Sequence, residues 1–221
     1  MRGSLRSRLR RVADRLASRY GRPRRRPGEP LDCLIETVLS QNTSDLNSGR
    51  AFAALKAAFP RWEDAARARP AAIERAIRRG GLARIKSRRI KRVLAAVQHR
   101  AGRLELGVLR RLPPEQAEAW LQGLPGVGPK TRACVLLFAC GHPAFPVDTH
   151  VARIARRAGF IGARTTAEEA HAVLLPGVPE GRHLDLHLNL VRLGRELCRP
   201  RAPLCAVCPI RRDCDHGRSA A

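Results

Sequence analysis

Apolar residues recur along most of the chain at the three- and four-residue spacing of amphipathic helices. The first such run comprises Leu5, Leu9, Val12, Leu16 and Tyr20. Runs of β-branched residues are few and aromatic residues make up only 4% of the chain, whereas Ala, Leu and Arg, which favour helices, dominate. The pattern therefore predicts an all-α fold.

Capping and turn residues divide the remaining pattern into further helices. Ser44 or Asp45 can cap one helix, Asp148 stands at the start of another, and Thr165 or Thr166 with Glu168 or Glu169 predicts a capping box. Helices are expected over residues 31–40, 45–59, 70–80, 86–97, 114–120 and 130–140, then in two short segments from Asp148 and Thr166, and last from about Glu180 to Cys198.

A glycine-rich turn, Leu124-Pro-Gly-Val-Gly-Pro129, separates two of the predicted helices. This order indicates a helix-hairpin-helix motif. Gly126 and Gly128 allow backbone N–H groups to approach a phosphate closely, and the following helix N-terminus adds positive potential. Because an ordinary turn between helices can carry the same two glycines, the turn alone is weak evidence for phosphate binding.

The chain is strongly basic along its whole length, with 43 Lys and Arg against 19 Asp and Glu and a formal net charge of +24. A field of this sign attracts polyphosphate backbones, so we expect a nucleic acid as partner. Only four of the basic residues are lysines, namely Lys56, Lys86, Lys91 and Lys130. Lys130 directly follows the hairpin, where a lysine offers what arginine cannot, an amine that can lose its proton.

Four cysteines, Cys198, Cys205, Cys208 and Cys214, lie close together near the end of the chain. Their thiolates would select a soft metal centre, either iron-sulfur or zinc. The other cysteines, Cys33, Cys134 and Cys140, are expected to be small buried hydrophobic residues in a reducing compartment.

No apolar run reaches membrane-spanning length, and the N-terminus lacks the apolar core of a signal peptide. We therefore expect a protein that does not enter membranes. The expected location is the cytoplasm, in association with the nucleoid, in a bacterial type of protein that acts as a monomer.

Taken together, these motifs resemble the endonuclease III family of helix-hairpin-helix DNA glycosylases. The resemblance covers nearly the whole chain, and its motifs are Leu39-Ser-Gln-Asn-Thr43, Gly81-Leu82, the hairpin through Lys130, Val147-Asp-Thr-His150 and the cysteine spacing. It implies two helical domains that flank a DNA-binding cleft. Residues 26–141 would form a six-helix domain, and the N-terminal helix in 1–25 would pack with a helical cluster domain formed by 142–221.

The resemblance also implies the chemistry of the protein. Lys130 would attack the sugar, forming a Schiff base that permits β-elimination, and Asp148 would stabilise developing positive charge or assist proton transfer. The cysteine spacing favours a [4Fe-4S] cluster over zinc. The expected partner is double-stranded DNA that contains a damaged base or an abasic site, and the expected substrate is an oxidised pyrimidine.

Further residues would contact the DNA. Gln41 and Leu82 match the family residues that fill the space left when a nucleotide is turned out of the duplex. Without the family context, Gln41 would be a helix-terminal residue and Leu82 a core leucine. The remaining DNA-binding candidates lie in or directly after the hairpin: Gly126, Val127, Gly128 and Thr131.

Two other functions remain open from the sequence. One is a monofunctional or mismatch-specific glycosylase, and the other is a non-catalytic iron-sulfur DNA-binding protein. The adenine glycosylase branch fits less well, because it has a serine where this chain has Lys130 and a pocket glutamate to which Glu36 is one residue out of register. The segment around Arg103 to Glu118 is longer than in familiar members, so the sequence leaves the preferred lesion open.

Overall fold

The computed structural model describes residues 4–25 and 27–219, and these residues form helices and loops without strands. The predicted all-α fold is confirmed. The α-helices are α1 Leu5–Tyr20, α2 Pro30–Ser40, α3 Asp45–Ala58, α4 Trp62–Arg67, α5 Pro70–Ala76, α6 Ala83–Ala101, α7 Pro114–Gln122, α8 Pro129–Cys134, α9 Thr149–Ala158, α10 Ala167–Leu174, α11 His183–Glu196 and α12 Asp215–Ser219. Short 3₁₀ turns lie at Arg78–Gly80, Gly107–Arg110, Leu175–Gly177, Cys205–Val207 and Arg211–Asp213.

The helices divide between two compact units. One unit is Pro27–His142, which we call the hairpin unit. The other combines the described residues of Met1–Arg26 and of Pro143–Ala221, and we call it the cysteine unit. The predicted cleft between two DNA-binding domains stays a prediction.

The hairpin unit contains α2 to α8, which is seven α-helical segments where the family resemblance implies six. The short helix α4 was not predicted, because its six residues hold too few apolar positions to show a period. The predicted helix over 130–140 begins as α8 and continues from Val135 to Cys140 as a π-helical stretch. Helix α6 is longer than predicted at both ends.

Aliphatic side chains fill the core of the hairpin unit. Fully buried members include Leu34, Ile35, Leu55, Ile73, Ile90 and Leu94, which lie on α2, α3, α5 and α6. Of the cysteines predicted to be buried here, Cys134 is buried and Cys33 and Cys140 are half-buried. Burial raises the pKa of the Cys33 thiol to about 12, so this group stays protonated at neutral pH.

The cysteine unit has its own core, in which α1 contributes Leu9, Val12, Ala13 and Leu16 alongside residues from α9, α10 and α11. The first helix is therefore confirmed as part of the fold. Arginines on α1 also bind the cysteine-rich end of the chain. The Arg8 guanidinium donates to the carbonyls of Ala158 and Asp213, and Arg11 and Arg15 each lie 2.8 Å from the buried Asp213 carboxylate.

Three predicted helix starts are confirmed. Ser44 caps α3, Asp148 caps α9, and Thr166 and Glu169 form a complete capping box at α10. No helix in the described part of the chain is long and apolar enough to cross a membrane.

Candidate functional site

The hairpin lies where it was predicted, between α7 and α8. Gly126 has a φ of +73°, a left-handed conformation that favours glycine, and a Cβ at this position would approach the side chain of Arg89 to 3.1 Å. The N–H groups of Gly126 and Gly128 have no acceptor among the described residues, whereas Val127 N–H donates to the carbonyl of Leu124 at 3.3 Å. Two backbone donors are therefore available to an anion.

Lys130 lies in the first turn of α8 and is half-buried. Within residues 4–25 and 27–219, its amine has no ion pair and no hydrogen bond. The carboxylate of Glu118 on α7 accepts from Arg132 of α8 at 2.5 Å, and Arg132 also donates to the carbonyl of Val127 at 3.2 Å. Arg132, two residues after Lys130, is therefore paired with an acid, whereas Lys130 is not.

Two of the predicted DNA-binding residues contact each other. The Gln41 side chain, half-buried at the end of α2, donates through Nε2 to Thr131 Oγ1 at 3.4 Å. Its Oε1 accepts from Arg89 of α6. A guanidinium can only donate hydrogen bonds. Arg89 therefore holds the Gln41 amide with its oxygen toward Arg89 and its NH₂ group toward Thr131. Thr131 itself is only 3% exposed, so its direct contact with DNA stays a prediction.

Leu82 occupies an exposed turn between the 3₁₀ turn Arg78–Gly80 and α6. Its φ and ψ are 49° and 33°, the left-handed region, which costs a non-glycine residue roughly 1–2 kcal/mol. Half of the side chain is exposed, at 50%. A strained, exposed leucine contributes little to the core, so the interpretation of Leu82 as a core residue is wrong.

Asp148 lies in the cysteine unit, at the N-cap of α9. Its Oδ1 accepts the N–H of Val151 at 2.8 Å. The carboxylate is half-buried and has no ion pair with any cation of the described chain. Oδ1 of Asp148 is therefore held by the first turn of α9, while Oδ2 can interact with a substrate.

Two histidines position the segment that leads into Asp148. His171 Nε2 accepts the N–H of Val147 at 2.9 Å while its Nδ1 faces the carbonyl of Ala167 at 2.6 Å. His187, which is buried, faces the carbonyl of Pro146 through Nδ1 at 2.9 Å. The sequence analysis did not identify either residue as a support of Asp148.

All four predicted cluster cysteines line one cavity in the cysteine unit, together with Ile154, Arg157, Leu193, Leu197, Pro203, Leu204, Ile210, Arg211, His216 and Gly217. Among the described residues, no three Cys, His, Asp or Glu side chains are arranged to hold a single metal ion. A [4Fe-4S] cube differs from a single ion, because each of its thiolates binds a different iron atom.

Hydrogen-bond donors point at cysteine sulfurs of this cavity, and such donors are one means by which proteins tune iron-sulfur clusters. Arg157 donates to Cys198 Sγ at 3.3 Å, and Gly217 N–H donates to Cys214 Sγ at 3.3 Å. Burial, followed by the charges of the neighbouring cysteines, raises the pKa of Cys208 to about 11 despite a hydrogen bond from the Ile210 backbone. A bound metal centre would supply the positive charge that favours the thiolate forms, and a donor set of four sulfurs fits a [4Fe-4S] cluster.

The fold and these sites can now be compared with known proteins. The sequence profile of the HhH-GPD superfamily of base excision DNA repair proteins matches residues 35–180. A candidate DNA glycosylase of Arabidopsis thaliana is 40% identical over 189 residues, which cover 81% of this chain and 64% of the plant protein. Endonuclease III of Thermotoga maritima is 34% identical over 190 residues, which cover 86% of this chain and 84% of that protein.

Solved structures agree with these relatives. A non-covalent endonuclease III–DNA complex and a trapped endonuclease III–DNA covalent intermediate each superpose with a TM-score of 0.82, at 27% identity and over 97% of both chains. The predicted resemblance is confirmed: the chain belongs to the HhH-GPD superfamily of base excision DNA repair proteins and is similar to endonuclease III.

Proposed function

We propose that the protein is a bifunctional DNA glycosylase and apurinic or apyrimidinic site lyase that removes oxidised pyrimidines from double-stranded DNA. The observation that carries this proposal is the Lys130 amine, which directly follows the hairpin and has no acidic partner among the described residues. A DNA glycosylase that only hydrolyses the base needs no amine at this position. A lyase does, because the amine forms the covalent link to the sugar.

The relatives support covalent chemistry. One structure of similar fold, at 27% identity, is a covalent endonuclease III–DNA intermediate. By analogy, the neutral Lys130 amine attacks C1′ of the damaged nucleotide, the bond from C1′ to the base breaks, and the base leaves with a proton. The C1′–O4′ bond then breaks, which opens the sugar ring with a proton passing to O4′ and leaves a protonated Schiff base between C1′ and Lys130. This Schiff base acidifies the proton at C2′. Loss of that proton breaks the bond from C3′ to the phosphate oxygen, which cleaves the strand.

Asp148 has the second role in this proposal. Its Oδ1 is held by the α9 backbone, which orients the carboxylate, and its other oxygen is left to stabilise positive charge on the sugar or to accept a proton. His171 and His187 fix the backbone that precedes it. We infer that these histidines position Asp148 without taking part in the reaction.

Gln41 and Leu82 are proposed to occupy the duplex after the nucleotide leaves it. Leu82 presents an exposed apolar side chain, and Gln41 presents an amide whose orientation Arg89 fixes. The hairpin N–H groups of Gly126 and Gly128 would bind a phosphate without reading the sequence. The high positive charge would supply most of the affinity for the DNA backbone.

A [4Fe-4S] cluster bound by Cys198, Cys205, Cys208 and Cys214 is part of the proposal. When bound, it would cross-link the loop between Cys198 and Cys214, which carries Arg199, Arg201, Arg211 and Arg212. The cavity lined by all four thiols and the donors aimed at their sulfurs support this assignment. We assign the cluster no step in the reaction.

The proposal is tested by measuring base release and strand cleavage separately on a duplex with one oxidised pyrimidine. We expect wild-type protein to release the base and to cleave the strand without heat or alkali. Lys130→Gln should lose strand cleavage, whereas Lys56→Gln, at a surface lysine of the same unit, should not. Base release with no strand cleavage by the wild-type protein would favour a monofunctional glycosylase, and binding with neither activity would favour a non-catalytic protein.

A further inference from the structure

Lys86 is a buried lysine that none of the roles above explains. It lies in the first turns of α6 and is only 3% exposed. Its Nζ donates to the carbonyl of Leu39 at 2.6 Å and to that of Gly80 at 2.8 Å. No carboxylate within the described chain pairs with it.

This burial costs free energy, so it indicates a compensating role for Lys86. Burying an ammonium group without an opposite charge is unfavourable, and an apolar side chain of the same length would avoid the penalty. In keeping with this, burial lowers the pKa of Lys86. The compensating gain is a link between two carbonyl groups that belong to segments far apart in sequence. An apolar side chain could not make this link.

Each carbonyl stands two residues before a proposed stack-filling residue. Leu39 precedes Gln41 at the end of α2, and Gly80 precedes Leu82 at the start of α6. We call Leu39–Ser44, the end of α2 and the residues that follow it, the Gln41 turn, and we call Gly80–Leu82 the Leu82 turn. The two turns also approach each other elsewhere, because a Cβ on Gly81 would lie 4.0 Å from Thr43 Oγ1.

Surface properties independently mark the same two turns. In the hairpin unit, all of which is described, the exposed large apolar side chains are Leu46, Leu82 and Ile85, and each lies in or close after one of the turns. Each turn also contains a non-glycine residue with positive φ, Asn42 at 54° and Leu82 at 49°. Exposed apolar side chains, of which Leu82 also lies on strained backbone, are features of a surface shaped for a partner.

We propose that Lys86 is a positioning residue that joins the Gln41 turn and the Leu82 turn, so that Gln41 and Leu82 enter the duplex as one preformed wedge. The proposal rests on the proposed function, since it assumes that these two side chains fill the vacated stack. It predicts that Lys86 supports nucleotide displacement and has no part in bond cleavage.

The test separates displacement from cleavage. Lys86→Met removes the N–H donors and keeps the length of the side chain. We expect single-turnover base excision from a duplex with one oxidised pyrimidine to fall about 10- to 100-fold, because a wedge displaced by about 1 Å loses up to this factor. Cleavage at an abasic site in single-stranded DNA, where no nucleotide needs displacement, should stay within about threefold of wild type.

A matched control lies on the same helix. Lys91 also donates to a backbone carbonyl, that of Ala66 at the end of α4, which is in neither turn. Lys91→Met should leave both reactions unchanged. Lys86→Arg keeps donors near the two carbonyls and should recover part of the loss, which a purely destabilising effect would not show.

If Lys86→Met does not fold, Lys86→Arg decides the question: it should slow excision from the duplex and spare cleavage of single-stranded DNA.

A readout free of bond cleavage distinguishes this proposal from the proposed function. A tetrahydrofuran site has no base to release and cannot form a Schiff base, so a duplex that contains it is not cleaved. The base opposite this site is 2-aminopurine, whose fluorescence rises when it loses its stacking in the duplex. We expect wild type to raise the signal and Lys86→Met to lose most of that rise at saturating protein. Equal fluorescence with wild type and Lys86→Met would overturn the role of Lys86. The same conclusion would follow if Lys86→Met lost excision from the duplex and cleavage of single-stranded DNA to the same extent. Absence of strand cleavage by wild type, with the fluorescence rise intact, would overturn only the lyase assignment.

Discussion

The two units present their functional residues in opposite ways. In the hairpin unit, Lys130 and Leu82 contribute little to the fold, since Lys130 has no hydrogen bond among the described residues and Leu82 is exposed and strained. In the cysteine unit, Asp148 caps a helix, and the four cysteines line one cavity, with Cys214 buried and the other three half-buried. Lys130 and Leu82 can therefore be replaced at little cost in stability, whereas Asp148 and the cysteines serve structure as well.

This contrast separates two reasons why a variant loses activity. Substitutions of Lys130 or Leu82 should change rates with little effect on the free energy of unfolding. Substitutions in the cysteine unit should change both, unless the new side chain keeps the structural contact.

The largest effect is expected from loss of the cluster. Cys208→Ser should abolish broad visible absorption and lower the unfolding free energy by on the order of several kcal/mol, since a structural metal centre contributes directly to folding. Circular dichroism during heating measures the stability. Cys140→Ser, a half-buried cysteine of the hairpin unit, should retain the visible absorption. A colourless wild-type protein with bound zinc would contradict the cluster assignment.

The second prediction uses two variants of Asp148. Asp148→Asn and Asp148→Ala should both reduce base excision by about 10²- to 10⁴-fold, because each removes the carboxylate. Asparagine is as good an N-cap as aspartate, so only the alanine variant should lose about 1 kcal/mol of stability. Chemical denaturation of both variants checks this separation. Equal stability of the two would show that the cap on α9 is unimportant.

The third prediction concerns the orientation of Gln41. Arg89→Gln removes the obligatory donor that faces Gln41 Oε1. We expect the preference among the four bases opposite the lesion to weaken about tenfold, equivalent to about one hydrogen bond of 1.4 kcal/mol. Single-turnover excision opposite each base measures the preference, with Arg88→Gln at an exposed neighbour as control. An unchanged preference would show that Arg89 does not influence, through Gln41, which opposite base is preferred.

The smallest effect is expected from relief of strain at Leu82. Asparagine adopts the left-handed conformation more readily than leucine, so Leu82→Asn should raise the unfolding free energy by up to about 1 kcal/mol. The same variant should slow excision from duplex DNA, because an apolar side chain is lost from the wedge. Thermal unfolding and single-turnover kinetics measure the two effects. A stability loss above about 1 kcal/mol would mean that Leu82 supports the fold after all.

The sequence predicts the local features of this molecule well and its long-range polar contacts poorly. Helix starts at Ser44, Asp148 and Thr166 were predicted because a cap and its partner lie three residues apart. The contacts of Lys86 with Leu39 and of Arg89 with Gln41 join residues 47 and 48 positions apart. No local pattern signals such pairs.

One sequence signal could have identified Lys86. It is one of four lysines among 43 basic residues and lies four positions after Leu82. An apolar residue at that helix position would fit the core, so a lysine there indicates a specific partner. The roles of His171 and His187 had no comparable signal, because a histidine that accepts or donates a backbone hydrogen bond needs no particular neighbour in sequence.

The central claim is that Lys130 forms a covalent link to DNA, and borohydride trapping tests it most directly. Wild type and Lys130→Ala are incubated with borohydride and a duplex that carries one oxidised pyrimidine, and a second duplex carries an abasic site. We predict a protein–DNA adduct for wild type on both duplexes and none for Lys130→Ala, which should still bind. An adduct of undiminished yield with Lys130→Ala, or no adduct with wild type on either duplex, would contradict the claim.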